Sequence, residues 1–558
     1  MTSRARAGLM SIPLAAALVV PWLFAPFTDR VFEAEKAALL RALAVAVLAI
    51  GATAASRPGW RAALAARWRG ADGAARGIVA AGLALWLVDA LATFASRAPW
   101  LSALGSDDRG FGWLTLTALA AMAAGAAVVA GAPGGADRLA AFVGASAQPP
   151  ALYGLFQRAG ADPLPWLGDV VTRVSGSAGA SVLLGAHLVV ALPFALAATA
   201  AALRDAGAGG PGQARLAAWL VVDGAALAAL VLSGSRGPVL AAAAALVVAA
   251  LAVAARHRRR GAALGIAVAA ALAVGGVVAL NARPAAFGPL LRVGLVQRLS
   301  VALDPERSTT RVRLRLWEGT VDAIAGLGAR TWLGTGPETM PLVWAPSYPT
   351  MLAYDEPRGW VPDRAHNLWL DRALTTGVLG AAALLAVIIA GLVAVVRRAG
   401  LAGSGRDAAV AATVWLGSAT AAAVTARLAD GAWRLAPAAF GLGLVAGLAA
   451  WLTARAVRGT AALPPSPAPP AGLEVAVLAS LTAFVVETQV GFPVVASSLV
   501  VALGLGALAA GAPRPGEAGA HHLAMARASD GPFAAAVVAV VGLYAFGRSG
   551  LVGPGAPG

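Results

Sequence analysis

Residues 281–299, NARPAAFGPLLRVGLVQRL, open a polar interval that runs to residue 365 between two long apolar runs. It continues as DPERSTTRVRLRLWEGTVDAIAG (304–326) and WLGTGPETMPLVWAPSYP (332–349), and closes with DRAHNLWLD (363–371). Nearly everything around it is hydrophobic. The interval carries ten arginines as far as Arg364, and the histidine His366 stands at its end. A polar excursion of this length in so apolar a chain is not a packing device. It reads as the cover of a site that holds an anionic substrate and activates a hydroxyl. The rest of the chain is then the scaffold.

Composition says what kind of scaffold. The 558 residues are 59% hydrophobic and 13% charged, with mean hydropathy +0.75. That is the profile of a polytopic membrane protein. Ala, Leu, Val and Gly dominate, and small residues let helices approach closely in lipid. A span needs about 20 apolar residues. By that measure about fifteen stretches qualify, from 8–27 through 138–157, 178–203, 367–396, 472–487 and 493–511 to 532–548. The expected fold is therefore all-α: a polytopic transmembrane helical bundle of about 12–15 spans. Residues 1–558 form a single integral membrane domain, and 281–365 is one long loop inserted between spans.

Arginine placement orients the bundle. Arg4 and Arg6 precede the first span, Arg57 to Arg76 follow the second, ARHRRR (255–260) follows the eighth, and Arg397, Arg398 and Arg406 follow the tenth. With the N-terminus cytoplasmic, all of these lie inside and the 281–365 loop lies outside. MTSRARAGLM and the apolar run after it read as an uncleaved first helix. The same orientation gathers four shorter polar segments on the outer surface: 96–112, 157–181, the turn SGSRGP (233–238) and VETQVGFP (486–493). The proline-rich 464–472 and the stretch 511–531 read as flexible cytoplasmic connectors. The net charge of +16 follows from these loops, and no basic-aromatic platform points to nucleic acid. There is no cysteine, hence no disulfide or thiolate site, and the single lysine, Lys36, leaves little room for Schiff-base chemistry.

Topology also sorts the reactive side chains. His257 lies in the cytoplasmic basic run, His521 and His522 in the last cytoplasmic loop, and His187 inside a span. Only His366 lies at the outer boundary beside the loop, where its ordinary pKa suits a general base. The bland alternative is an interfacial histidine bonded to a helix end. Arg236, in the turn LSGSRGP, stands at the start of the eighth span, where it either meets an anion or snorkels. A helix through TRVRLRLWEGTVDAIAG, opened by Ser308 or Thr309, puts Arg313 on one face with Trp317, Thr320, Val321 and Ile324. Arg311 and Arg315 point the other way. A guanidinium on the packed face wants a bidentate oxyanion such as a diphosphate, or an ion pair with Glu306 or another carboxylate. Arg173 is a weaker outside arginine of the same kind. Asp89, Asp223 and Glu487 lie in or at the ends of spans, as proton sites or locally bonded groups. No metal-site motif is present, and GTGPE (334–338) reads as a turn, since it lacks the Lys-Ser/Thr ending of a P-loop.

In order along the chain stand SGSRG (233–237), Arg313-x-x-x-Trp317, GTGPE, Tyr348, RAHN (Arg364 to Asn367) and then TTGVLG (375–380). This succession resembles the O-antigen ligase and polymerase family, best over residues 173–396. GSDDRGFGWLT (105–115) and ALYGLFQRAGADPLPW (151–166) look like segments of larger polymerase-like relatives. The resemblance implies a multi-span glycosyltransferase of the cytoplasmic membrane, needing no metal or other cofactor. Such an enzyme takes glycan from undecaprenyl diphosphate on the outer side and transfers it to a glycan or lipid-linked acceptor hydroxyl. It further implies that Arg236 and Arg313, with Arg173, hold the diphosphate, and that His366 is the base. Trp317, Tyr348, Arg364 and Asn367 are supporting residues. Two other readings stand beside it. One is a transporter or flippase of lipid-linked glycan. The other is a peptidoglycan-type polytopic glycosyltransferase, which calls for a carboxylate such as Asp355, Glu356 or Asp363.

Overall fold

The computed structural model describes residues 3–459 and 472–510, apart from 29, 167, 209, 302, 303, 305–307, 358 and 359. The described residues form helices and turns, with no strand among them. Among the described residues, ten helices are long and apolar enough to cross a membrane. In chain order the principal helices are α1 Ser3–Trp22, α2 Glu33–Ala55, α3 Gly73–Phe94, α4 Trp113–Ala130, α5 Gly135–Ala145, α6 Gln148–Arg158, α7 Ser181–Asp205, α8 Gly210–Leu232 and α9 Arg236–Arg256. Then follow α10 Arg260–Ala282, α11 Ser308–Ala325, α12 Leu368–Thr375, α13 Gly377–Arg398, α14 Gly405–Asp430, α15 Ala436–Arg458, α16 Gly472–Glu487 and α17 Val495–Ala509.

The polytopic bundle expected from the sequence is what forms, with differences at the ends of elements. The apolar stretch 138–157 is two eleven-residue helices, α5 and α6, that part at Ser146 and Ala147. Gln148 and two prolines open the second of them, and a proline is best tolerated in the first turn of a helix. The stretch 367–396 is likewise divided, into α12 and α13, with Gly377 in the left-handed region at the break. The stretch 532–548, the connectors 464–471 and 511–531, and His521 and His522 lie outside the described residues.

α16 and α7 hold the centre. Every residue of α16 from Ala476 to Glu487 is buried, and it packs against α7 and α9. Small side chains make such packing close. A Cβ at Gly506 of α17 would meet the Ala123 carbonyl oxygen of α4 at 2.1 Å. Several polar residues inside the bundle find partners there, as buried polar groups in a membrane protein tend to. Lys36 donates to the Ser177 carbonyl at 2.8 Å, Thr199 donates to Asp223 at 2.6 Å, and Arg372 pairs with Asp89 at the top of α3.

The 281–365 interval is not an unstructured loop. It is a run of short helical pieces arranged around α11. Leu316, Trp317, Met340, Trp344, Leu352, Ala365, Leu370 and Leu374 give it a small hydrophobic core of its own, separate from the core of the bundle. α11 packs on α12, so this second core seats the insert on the end of the bundle.

Candidate functional site

α11 divides its arginines as its period requires. Arg311 and Arg315 turn to Asp355, the former with Nε at 2.8 Å from Oδ1, the latter with Nη1 at 3.6 Å from Oδ2. Arg313 points elsewhere. Among the described residues it makes no hydrogen bond or ion pair, and Glu306, the acid considered as its partner, lies outside them. Instead Arg313 lines a cavity of about 280 Å³ together with Thr309, Asp355, Glu356, Trp360 and His366. Burial lowers its pKa most, and the charge of Arg236 adds to this, while Glu487 opposes it.

His366 is held in this cavity by its neighbours. Its φ is 51°, in the left-handed region that non-glycine residues seldom occupy. Asn367 fixes that turn. Its side-chain oxygen accepts from the Trp369 and Leu370 amides, each at 3.1 Å, and caps α12. Its side-chain amide donates to the Gln489 carbonyl at 3.1 Å. The imidazole meets the Phe492 ring edge-on with centroids 5.0 Å apart. Burial pushes the His366 pKa down to about 4, and Arg313 is the largest charge acting in the same sense. Asp363 acts against them, while Arg109 and Arg364 lower it further. The ring is therefore neutral across the neutral range. Asn367→Ala removes both the cap and the tie to residue 489, and is expected to cost about 1–2 kcal/mol. A lower midpoint of thermal unfolding is the result to look for.

Arg364 lies behind this turn and is buried. It pairs with Glu338 and, at 3.1 Å, with Asp371. Glu338 also accepts from the Ser106 amide at 3.2 Å and hydroxyl at 2.7 Å, which ties in the segment after α3. The GTGPE stretch is a turn, as its glycines suggest, but a buried one. Gly336 has φ 108°, and a Cβ there would meet Ser96 Oγ at 2.1 Å and Ser102 Oγ at 2.4 Å. Gly336→Ala is expected to cost at least about 1–2 kcal/mol from backbone strain alone. Unfolding in detergent should show it as a clear loss of stability, whereas Gly288→Ala, whose Cβ would make only an ordinary contact with the Ala285 carbonyl oxygen at 3.7 Å, should not.

The remaining residues singled out in the sequence fall into two groups. Arg236, at the head of α9, donates from Nη2 to Thr309 Oγ1 at 2.9 Å, which places it at the rim of the cavity. It also donates from Nη1 to the Val301 carbonyl at 3.0 Å. Arg173 donates to the Ser233 carbonyl at 3.4 Å. Its pKa is lowered by burial first and then by Arg298 and Arg236, so three guanidinium groups crowd together here. Trp317 and Tyr348 are framework: Trp317 Nε1 donates to the Ala365 carbonyl at 3.0 Å, just before His366, and Tyr348 packs edge-on against Trp344. His187 is buried within α7 against the Ser146 carbonyl at 3.1 Å, far along the chain from the cavity lining.

Several residues of the site stand in segments quoted above but are not singled out there, and their part in the site comes only from the fold. Arg109 stacks over Phe492, 4.7 Å from the ring centroid, and pairs with Asp363 at 2.9 Å. Glu338, Asp371, Arg298 and Phe492 likewise emerge only from the fold. A second cavity, about 310 Å³, lies beside Gln157, Asp162 and Trp166. Its carboxylate Asp162 already accepts from Tyr153 at 2.9 Å, Trp166 at 2.7 Å, Gln157 at 3.3 Å and the Leu164 amide at 3.0 Å. It is a structural knot rather than a reactive group.

Residues 221–385 match the family model described as O-antigen ligase. That segment runs from α8 through Arg236, the whole insert and His366 into α13. No curated protein matches the chain.

Proposed function

We propose that this chain, a multi-pass membrane protein of the O-antigen ligase/polymerase family, is a glycosyltransferase that polymerises or ligates undecaprenyl-diphosphate-linked oligosaccharide. The reaction takes place at the outer face of the cytoplasmic membrane, with the N-terminus cytoplasmic and residues 281–365 outside. One observation carries this reading: Arg313 and His366 open into one cavity, with Arg236 bonded to Thr309 at its rim.

The chemistry follows from that arrangement. Arg313 and Arg236, with Arg173 behind them, hold the donor diphosphate and stabilise the charge that grows on it as it leaves, so no metal is required. His366 takes the proton of the acceptor hydroxyl. The acceptor oxygen bonds to the anomeric carbon from the side opposite the diphosphate. The bond from that carbon to the phosphate oxygen breaks, undecaprenyl diphosphate departs, and the anomeric centre is inverted. Trp317, Arg364 and Asn367 fix the backbone on which His366 is carried, and Tyr348 packs beneath. The low basicity of His366 in the empty site is part of the scheme. Diphosphate set against Arg313 cancels the charge that opposes imidazolium, so donor binding readies the base.

The test is a host without its own polymerase and ligase, supplied with a lipid-linked repeat and expressing this protein. Glycans resolved by gel show a ladder for a polymerase and a single transferred unit for a ligase. If the glycans are unchanged while the purified protein moves labelled lipid-linked sugar across liposomes, the protein is a transporter. Asp355 and Glu356 also line the cavity, so a carboxylate mechanism has candidates in place. Asp355 is engaged by Arg311 and Arg315, which weighs against it as a free base.

A further inference from the structure

The segment between α6 and α7 lies outside the family-matched residues, yet it builds a cavity of about 310 Å³, lined by Gln157, Asp162, Trp166, Gly168, Asp169 and Val171 among others. That is near the lower end of ligand pockets, about 300–1,000 Å³, and suits a sugar ring better than a length of glycan. One wall is aromatic and fixed. Trp166 packs on Phe32 and Phe24, with centroids 5.4 and 6.3 Å away, and Tyr153 stacks on Phe24 at 5.1 Å. A Cβ at Gly179 would meet the Phe32 ring at 2.2 Å, so that ring has no room to retreat. The indole is only half-buried and gives the rest of its surface to the cavity. Asp162 is no base, but its place is set. Its Oδ2 accepts from Tyr153, Gln157 and Trp166, while Oδ1 accepts from the Leu164 amide alone. A carboxylate oxygen has two lone pairs, so Oδ1 has room for a hydroxyl. The cavity also adjoins the chemistry. Arg173 stands two residues after Val171, at most about 7 Å along the chain, and donates to the Ser233 carbonyl. The Val174 amide donates to the Leu232 carbonyl at 3.4 Å. Ser233 opens the turn whose Arg236 reaches Thr309 at the rim of the Arg313 and His366 cavity. One turn therefore has a cavity on either side of it.

We propose that this cavity is a glycan subsite that takes an uncharged sugar ring of the substrate, seated on Trp166 and bonded through a hydroxyl to Asp162. It rests on the reading of the chain as a glycosyltransferase. A sugar presents an apolar C–H face and an edge of hydroxyls. The face suits a rigid aromatic surface, and the hydroxyls suit an acceptor already held in place. Charge sets the class of ring. Among the described residues the lining carries two carboxylates, Asp162 and Asp169, and no basic side chain. Arg158 is turned to the Val171 carbonyl at 2.9 Å. A uronate or a phosphorylated ring would bring a second anion against Asp162, a cost that selects against it. The ring belongs to the donor or to the acceptor glycan, and kinetics tell which.

The experiment uses the full-length protein in nanodiscs with the lipid-linked repeat that it turns over in the host. KM is measured for donor and for acceptor, each with the other saturating, and binding of undecaprenyl diphosphate, which carries no sugar, is the control. Gly168 has nothing within 4 Å of where a Cβ would stand, so Gly168→Leu fills the cavity without removing a bond. It should raise one glycan KM about tenfold, while undecaprenyl diphosphate binds as in wild type and the unfolding midpoint holds. A higher donor KM assigns the ring to the donor, and a higher acceptor KM assigns it to the acceptor. Trp166→Ala should act in the same direction, and Trp166→Phe, which keeps a ring, should fall between it and wild type. Wild-type KM for both glycans in folded Gly168→Leu and Trp166→Ala overturns the proposal and leaves the diphosphate site untouched. Weakened binding of undecaprenyl diphosphate in Gly168→Leu also overturns it, since the segment would then act on the site as a structural support. If wild type neither binds undecaprenyl diphosphate nor turns over any repeat, the glycosyltransferase reading itself fails, and this proposal with it.

Discussion

Replacement of His366 by alanine is expected to slow glycosyl transfer about 10²–10⁴-fold, with donor affinity changed little. The ring holds no buried ion pair together, and its packing partner is Phe492, so the fold should survive its removal. The pH profile distinguishes a base from a packing residue. Burial and then Arg313 disfavour the imidazolium, which puts the pKa of the empty site at about 4. If His366 is the base, as proposed, the neutral form is the active one, and kcat/KM should rise with pH through the acid range and then stay level through neutrality as far as this group is concerned. With donor bound, phosphate charge offsets Arg313 and the imidazolium becomes easier to form. The acid limb of kcat should therefore lie at higher pH than that of kcat/KM. His366→Ala should lack both limbs. If Asp355→Ala or Asp363→Ala abolishes transfer while His366→Ala does not, the base is a carboxylate.

On the proposed mechanism Arg313→Ala should lower kcat about 10²–10³-fold, since it would remove a cation aimed at charge that develops in the transition state. It should raise the donor KM as well, because the diphosphate is also held in the ground state. Arg313→Lys keeps the charge but loses the planar fork that matches phosphate oxygens, and should fall between wild type and alanine. Stability gives an internal control. Arg313 is half-buried without an ion pair among the described residues, so its removal orphans no acid that is hydrogen-bonded to it, and the unfolding midpoint should hold or rise. A cation kept at some cost to the fold, and needed for turnover, is what a ligand-binding group looks like.

Much of this was legible in the sequence. Hydropathy gives the bundle, because a span must satisfy its backbone internally and therefore shows as a long apolar run. The alternation of Arg311, Arg313 and Arg315 gave the faces of α11 correctly, since a helix of that length has a fixed period. His366 stood out by its place beside a polar interval. What did not show depends on contacts between distant segments. Arg109 lies in a short loop after α3, Glu338 in a glycine turn and Phe492 after α16, and no local pattern says that all three converge on residues 364–366. Breaks such as those at Ser146 and Thr376 are also hard to see, because apolar composition continues across them while the backbone turns. Trp317, Arg364 and Asn367 carry motif-like spacing, yet their contacts are those of a frame around His366 rather than of a ligand site.

The most direct measurement is a single turnover. Purified protein in nanodiscs would be loaded with undecaprenyl-diphosphate-linked repeat, and released undecaprenyl diphosphate followed after acceptor is added, in wild type, His366→Ala and Arg313→Ala. Prompt release with glycan extension or transfer is expected in wild type, retained donor without release in His366→Ala, and weak loading in Arg313→Ala. Release at the wild-type rate from His366→Ala, or full loading and release from Arg313→Ala, would contradict the claim that transfer occurs in the cavity these two residues share.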